Sequence, residues 1–307
     1  MDHYYSLNSY VQKRFGMKLY KLSLDGGFTC PNRDGTVGTG GCIFCSGSGS
    51  GDFSVPTGAD ISAAIERAKL KVAHKNKGGR YIAYFQSFTS TYAPVSRLRE
   101  LFTAAIEQPD IEVLSIGTRP DCLGDDVVEL LSELNRIKPV WIELGLQTVH
   151  EPTARYIRRG YELPVFDDAV KRLKAVGIEV IVHMIIGLPG ETTQMIWETA
   201  EYIGKSGADG VKFQLLHVLK GTDLLKDYEA GRFKTLELEE YIPILAGCIE
   251  RIPKHMVVHR ITGDGDKKIL AAPLWSGDKK RVLNAINKAF DEQGITQGKH
   301  FSEEIKN

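Results

Sequence analysis

The chain has 307 residues, with 39 Lys and Arg balanced by 39 Asp and Glu, 42% hydrophobic and 25% charged. This is the balance of an ordinary globular protein, which excludes a disordered or fibrous chain and leaves room for one large α/β domain or two smaller ones. Zero net charge excludes whole-molecule attraction to nucleic acid or anionic membrane, while local basic faces stay open.

Taken in chain order, β-branched and aromatic runs predict strands over 19–25, 81–88, 111–118, 140–146, 179–187, 211–218 and 256–261. Helical periodicity falls between them, over 59–74, 95–106, 125–137, 165–176, 191–205 and 238–251. The second to fifth strands start at 81, 111, 140 and 179, so one β-α unit takes roughly 30–40 residues, the size that builds a parallel sheet with crossover helices. An open doubly wound sheet and a complete or partial barrel both fit. In either, chemistry belongs at the carboxyl ends of the strands.

The most apolar run, Val180-Ile-Val-His-Met-Ile-Ile186, is far too short to span a bilayer and contains a histidine. The opening Met1-Asp-His-Tyr-Tyr lacks the order of a secretory signal. Five cysteines, an odd number, do not suggest a disulfide framework. Together these features point to a cytoplasmic protein without a membrane partner.

Three cysteines follow the first strand in a C-x11-C-x2-C spacing: Cys30, Cys42 and Cys45. Gly35, Gly38, Gly40 and Gly41 let the intervening backbone turn tightly enough to aim three thiolates at one point. A structural zinc site normally takes four ligands, and here the fourth would have to come from a distant residue. Burial of three unliganded cysteines does not account for the two-residue step or the glycines. A [4Fe-4S] cluster on three thiolates fits this set best, because it leaves one iron open. Cys122 and Cys248 stand alone, without the neighbours a second cluster needs. The Gly/Ser run at 47–51 reads as a flexible loop closing over the cysteines.

With these motifs in view, residues from about 18 to 262 resemble the radical S-adenosylmethionine (SAM) superfamily, and most of all its YhcC/YtqA-type bacterial branch. That branch is related to the Elongator catalytic subunit and to oxygen-independent coproporphyrinogen oxidase. The cysteine loop carries an aromatic residue, Phe44, just before the third thiol. Tyr84-Phe-Gln-Ser-Phe-Thr-Ser-Thr91 stands where relatives have a glycine-rich segment that grips the SAM amino group, with Gln86 and Ser87 in place of glycines. Gly117-Thr-Arg-Pro-Asp121 resembles the Elongator-type Glu-Thr-Arg-Pro-Asp, with Gly117 in the acidic position. Glu143-Leu-Gly-Leu-Gln-Thr148 followed by Arg159 repeats the relatives' twelve-residue step from a ribose-side glutamine, Gln147, to an arginine that pairs with the SAM carboxylate. His183-Met-Ile-Ile-Gly-Leu-Pro-Gly-Glu191 completes the order.

The resemblance implies a partial parallel (β/α)6 barrel over 1–262, with a cluster loop at 30–51 and a C-terminal extension over 263–307. It also implies a [4Fe-4S] cluster on Cys30, Cys42 and Cys45. SAM would be contacted by Phe44, Gln86, Ser87, Thr118, Glu143, Gln147, Arg159 and His183. Reductive cleavage of SAM would give a 5′-deoxyadenosyl radical that takes hydrogen from a substrate, with an electron donor such as flavodoxin or ferredoxin. Kinship with Elongator-type proteins makes the side chain of a tRNA wobble uridine the expected substrate. Chemistry on a small molecule such as a tetrapyrrole, or a non-enzymatic Fe–S redox sensor, are the alternatives. Two basic stretches suit tRNA phosphates: ten Lys or Arg against five Asp or Glu in 251–300, and six against one in 66–80. A solvated basic surface would look the same.

Overall fold

The computed structural model describes residues 3–49, 51–58, 60–263 and 265–303. Helix α1 (Leu7–Phe15) starts where the Ser6 side chain accepts the Ser9 N–H and stops at the left-handed Gly16. Strand β1 (Leu19–Asp25) leads into the cysteine loop, and the chain returns through the two-residue β2 (Val55–Pro56). Five strand and helix pairs follow: α2 (Ile61–Val72) and β3 (Arg80–Phe85), α3 (Val95–Ile106) and β4 (Ile111–Thr118), α4 (Asp125–Asn135) and β5 (Val140–Gln147), α5 (Glu151–Tyr156) with α6 (Leu163–Ala175) and β6 (Glu179–Ile186), then α7 (Thr193–Lys205) and β7 (Gly210–Leu215). The chain closes with β8 (Val218–Leu219), α8 (Asp223–Glu229), α9 (Leu238–Glu250), β9 (Val257–Arg260), β10 (Leu270–Ala272) and α10 (Lys279–Gln293).

Eight strands form one sheet in the order β2-β1-β3-β4-β5-β6-β7-β9, and every neighbouring pair is parallel. From β1 through β3 to β9 the sheet follows chain order, and only the two-residue β2 lies on the other side of β1, so the long strands wind one way as a half-barrel and the doubly wound alternative drops out. Six long strands, β1 and β3 to β7, supply the expected (β/α)6 unit. Short β2 and β9 extend its two edges, which brings the count to eight.

Side chains alternate between the two faces of each strand. Outward residues such as Leu22, Ala83, Leu114, Ile142, Val182 and Val211 join the helices in the main core. Amphipathic α3, for example, buries Leu98, Phe102, Ala105 and Ile106 there. Inward residues near the strand starts, Ile82, Val113, Trp141 and Ile181, pack with Val11 of α1, so that helix plugs the amino-terminal mouth of the half-barrel. Further up the same inward rows the residues turn polar.

Most predicted elements fall within a few residues of the observed ones. The strand expected over 211–218 divides instead: β7 stops at Leu215, and β8 turns away to pair antiparallel with β10. Buried apolar residues on both sides of the break, Val211, Phe213 and Leu215 before it and Leu216 and Val218 after it, hide it in the sequence. Ala59, the first residue of the helix predicted over 59–74, lies outside the described residues, as does Ser50 of the 47–51 run. Among the described residues no helix is long and apolar enough to cross a membrane.

Candidate active site

A cavity of about 580 Å³ opens at the carboxyl ends of the strands. Its size suits a cofactor or a small substrate group. The cysteine loop forms one wall and the inward rows of the strands form the floor.

Local geometry explains how the loop reaches this position. Cys45 N–H donates to the Cys42 carbonyl at 3.1 Å, closing a tight turn that brings the two thiols together. Gly41 has φ +72°, and a Cβ there would lie 2.9 Å from Arg33 Nε, so both backbone conformation and space call for glycine. Asn32, 3% exposed, donates through Nδ2 to the Arg158 carbonyl at 2.7 Å and points the same group at Cys42 Sγ, 3.5 Å away. Ile43 pins the loop to the barrel: its N–H donates to the Ile157 carbonyl and its carbonyl accepts from Leu224 N–H. Its side chain packs into a small apolar cluster with Ile185, Leu188, Leu216 and Leu224, and Phe44 lies against the same cluster.

Cys30, Cys42 and Cys45 all line the cavity. The Cys42 thiol is pushed down to about 7 by the Cys45 thiol that donates to it and, against its burial, by Arg119, Asn32 and Arg33. Among the described residues no three Cys, His, Asp or Glu groups gather tightly enough to hold a single metal ion. Cys42 and Cys45 lie close enough to share a hydrogen bond, and Cys30 lines the same cavity. A cluster that takes one thiolate at each of three separate irons fits such a set better than one tetrahedral ion does. Cys122 is a different kind of thiol. Burial and the neighbouring Asp121 raise it to about 12.

The floor is a polar layer centred on the buried Glu143 of β5. Its Oε1 accepts from Lys21 Nζ at 3.0 Å and Ser115 Oγ at 2.9 Å. Oε2 accepts from His183 Nε2 at 2.8 Å and from Lys212 Nζ. Burial alone would raise the carboxyl, but Lys21, Lys212 and His183 outweigh it and hold Glu143 well below the usual carboxylate range. Burial, then Lys212, pushes His183 down to about 4. A neutral ring donating from Nε2 leaves Nδ1 to accept from Gln214 Nε2 at 3.1 Å. Lys212 Nζ also donates to the Tyr84 hydroxyl at 3.2 Å.

The residues singled out from the sequence fall into three settings. Phe44, Gln86, Thr118 and Gln147 line the cavity directly. Gln147 ends β5 with φ +65°, and Gln86 Nε2 donates to Ser54 Oγ at 3.2 Å. Glu143, His183 and Arg159 line it too, but with side chains already engaged by the protein. Arg159 is 1% exposed and donates to the Thr148 and Tyr161 carbonyls and to Glu151 Oε1 at 2.7, 3.0 and 2.8 Å. Three of its five N–H donors are thus occupied. Ser87 is the exception, buried beneath Gly51 and not among the lining residues.

Sequence reading missed Lys21, Lys212 and Gln214. Their signal was present: central parallel strands are normally continuous apolar runs, so Lys212 between Val211 and Phe213 is conspicuous.

A family model described as the Radical SAM superfamily matches residues 33–203, and one described as the Radical_SAM C-terminal domain matches residues 208–292. The protein YtqA of Bacillus subtilis is 47% identical over 298 residues, covering 97% of this chain and 92% of that protein. Protein YhcC of Escherichia coli is 38% identical over 290 residues, covering 93% and 91%. A tRNA uridine(34) acetyltransferase of Methanocaldococcus jannaschii is 28% identical over 190 residues, 59% of this chain and 33% of that one. Among solved structures, the archaeal Methanocaldococcus infernus Elp3 with an N-terminal deletion matches with a TM-score of 0.68 at 18% identity. That match covers 91% of this chain and 64% of that one, and it shows a shared fold.

Proposed function

This chain belongs to the radical SAM superfamily of enzymes, whose cofactors are a [4Fe-4S] cluster and SAM, and we propose that it uses both to modify the side chain of a wobble uridine in tRNA. In this reading Cys30, Cys42 and Cys45 hold the cluster. The observation that carries it is the convergence of those three thiols on one wall of a cavity whose floor is a buried polar layer. When bound, the cluster supplies the electron that cleaves SAM to methionine and a 5′-deoxyadenosyl radical, which then takes hydrogen from the substrate.

The protein's part is to hold and exclude. Asn32, Arg33 and Arg119 set donors and positive charge around Cys42, which favours its thiolate form, while the bond that Cys45 donates to Cys42, together with burial, holds the Cys45 thiol up. Gln147 and Gln86 offer amide groups of the kind that grip a ribose and an amino group, and the Thr118 hydroxyl beside them is bonded to Thr91 Oγ1. Arg159, tied to Glu151, keeps two N–H donors for a carboxylate and otherwise fixes the loop after β5. The α1 plug closes the far mouth, so ligands reach the floor only from the strand carboxyl ends.

Support for tRNA comes from the wobble-uridine name of the archaeal relative and from basic residues at the cavity, Arg33 and Lys75 among them. Within the 66–80 stretch Lys71, Lys75 and Lys77 are exposed, and Lys75 lines the cavity. Oxygen-free reconstitution should yield about four irons per chain, and reduction should release 5′-deoxyadenosine from SAM. Comparison of tRNA nucleosides from cells with and without this protein tests the substrate. Unaltered wobble nucleosides would remove tRNA from the reading, and a chain holding only zinc would remove the cluster.

A further inference from the structure

Asn32 follows Cys30 by two residues and is 3% exposed. It grips the cysteine loop twice. Its backbone carbonyl accepts from Gly41 N–H at 2.7 Å, one residue before Cys42. Its side chain reaches the turn after α5, where Nδ2 donates to the Arg158 carbonyl at 2.7 Å and lies 3.3 Å from the Arg159 carbonyl. These two carbonyls fix the orientation of the amide, because Oδ1 in the place of Nδ2 would face acceptors only. The turn is shaped around that amide: Arg158 has φ +58° and Gly160 φ +82°, and a Cβ at Gly160 would lie 2.6 Å from Asn32 Oδ1. Arg119 Nη1 donates to the same Arg159 carbonyl at 2.7 Å, so that carbonyl is supplied without Asn32.

The same Nδ2 lies 3.5 Å from Cys42 Sγ, and Cys42 Sγ lies 3.6 Å from the Arg158 carbonyl. As a thiol, Cys42 can donate its own hydrogen to that carbonyl. As a thiolate ligand it has none to give, and sulfur and carbonyl oxygen become two acceptors side by side. Asn32 Nδ2 reaches both and carries two hydrogens, one for each. We propose that Asn32 is a positioning residue for the cluster, giving one N–H to the Arg158 carbonyl and the other to the Cys42 sulfur, and that this second bond makes the cluster easier to reduce. A donor at a ligand sulfur draws charge from it, which stabilises the electron-rich reduced form more than the oxidised one. The electron itself comes from the external donor, and Asn32 gives up no proton. This deepens the proposed function by naming a residue that sets the reduction step, and it rests on reading Cys42 as a cluster ligand.

The test uses the full chain, reconstituted without oxygen and without SAM. Asparagine labelled with 15N in its side-chain amide is incorporated, and the reduced cluster of the unaltered protein is examined by pulsed EPR. A 15N coupling is expected there and should be absent from Asn32→Leu, which keeps the bulk and removes the donor. In a potential titration followed by EPR, Asn32→Leu should lower the ratio of reduced to oxidised cluster about tenfold at a fixed potential, about 59 mV for one electron. Asn32→Ala should shift it in the same direction. Variants that lose iron but keep the midpoint in the clusters they do form would show a purely structural role and overturn the proposal. Absence of the 15N coupling in the unaltered protein overturns it too, whether or not the variants fold. A chain that takes up no cluster removes the reading of the cysteines itself, whereas a cluster with neither coupling nor shifted midpoint removes this inference alone.

Discussion

Glu143 shows how one buried side chain organises a site. It is a carboxylate in the barrel interior, stable as an anion only because four donors converge on it. Glu143→Gln would leave Lys21 and Lys212 without a shared counter-charge, a change expected to cost about 3–5 kcal/mol and measurable by urea unfolding. Its neighbour His183 makes a separate prediction about pH. Its folded value, about 4, lies below the 6.5 of the free side chain, so between those limits the unfolded chain binds more protons than the folded one. The stability linked to it is complete above 6.5 and is lost as pH falls toward 4. Glu143 of β5, Lys212 and Gln214 of β7, and Arg260 of β9 surround the ring and would remain in His183→Gln. That variant should lose stability less steeply across this window in pH-dependent unfolding. An unchanged slope would show that the ring titrates normally in the folded protein.

At the level of elements, the cysteine loop has little regular structure of its own, and its shape depends on what it rests against. Ile43 bridges α5 and α8 through backbone hydrogen bonds and fills the small apolar cluster over β6 and β7. Gly41 provides the turn that Arg33 crowds. Gly41→Ala should therefore lower iron bound per chain after reconstitution by about half or more while leaving helical content intact, because the backbone strain falls on the loop and not on the barrel. Equal iron loading in that variant would show that the loop tolerates the displacement. The helices themselves were legible in advance. α3 and α4 carry their apolar residues at regular helical spacing, and β4 starts and ends where its β-branched run does. Helices α1, α5 and α8 were not placed, since a short segment with a few apolar residues acquires its helical advantage from the surface it packs against, and the longer α10 was not placed either.

Across the whole molecule, zero net charge conceals an uneven distribution. The 66–80 stretch carries six Lys or Arg against one Glu, and its Lys75 lines the cavity. If tRNA docks on that side, its affinity should fall steeply with added salt, and Lys75→Ala with Lys77→Ala should lower the log–log salt slope by about two. Filter binding over a salt series measures this, and a flat dependence would place the RNA elsewhere or nowhere.

The order of β-α units and the C-x11-C-x2-C loop could be read from the sequence alone, because periodicity and spacing are local properties of the chain. Only the tertiary structure decided which face each strand turns inward. Lys21, Glu143 and Lys212 lie on three different strands, far apart along the chain, and each alone resembles an isolated charge in an apolar run. Curling the sheet brings them to one carboxylate, where exclusion of water makes their charges count.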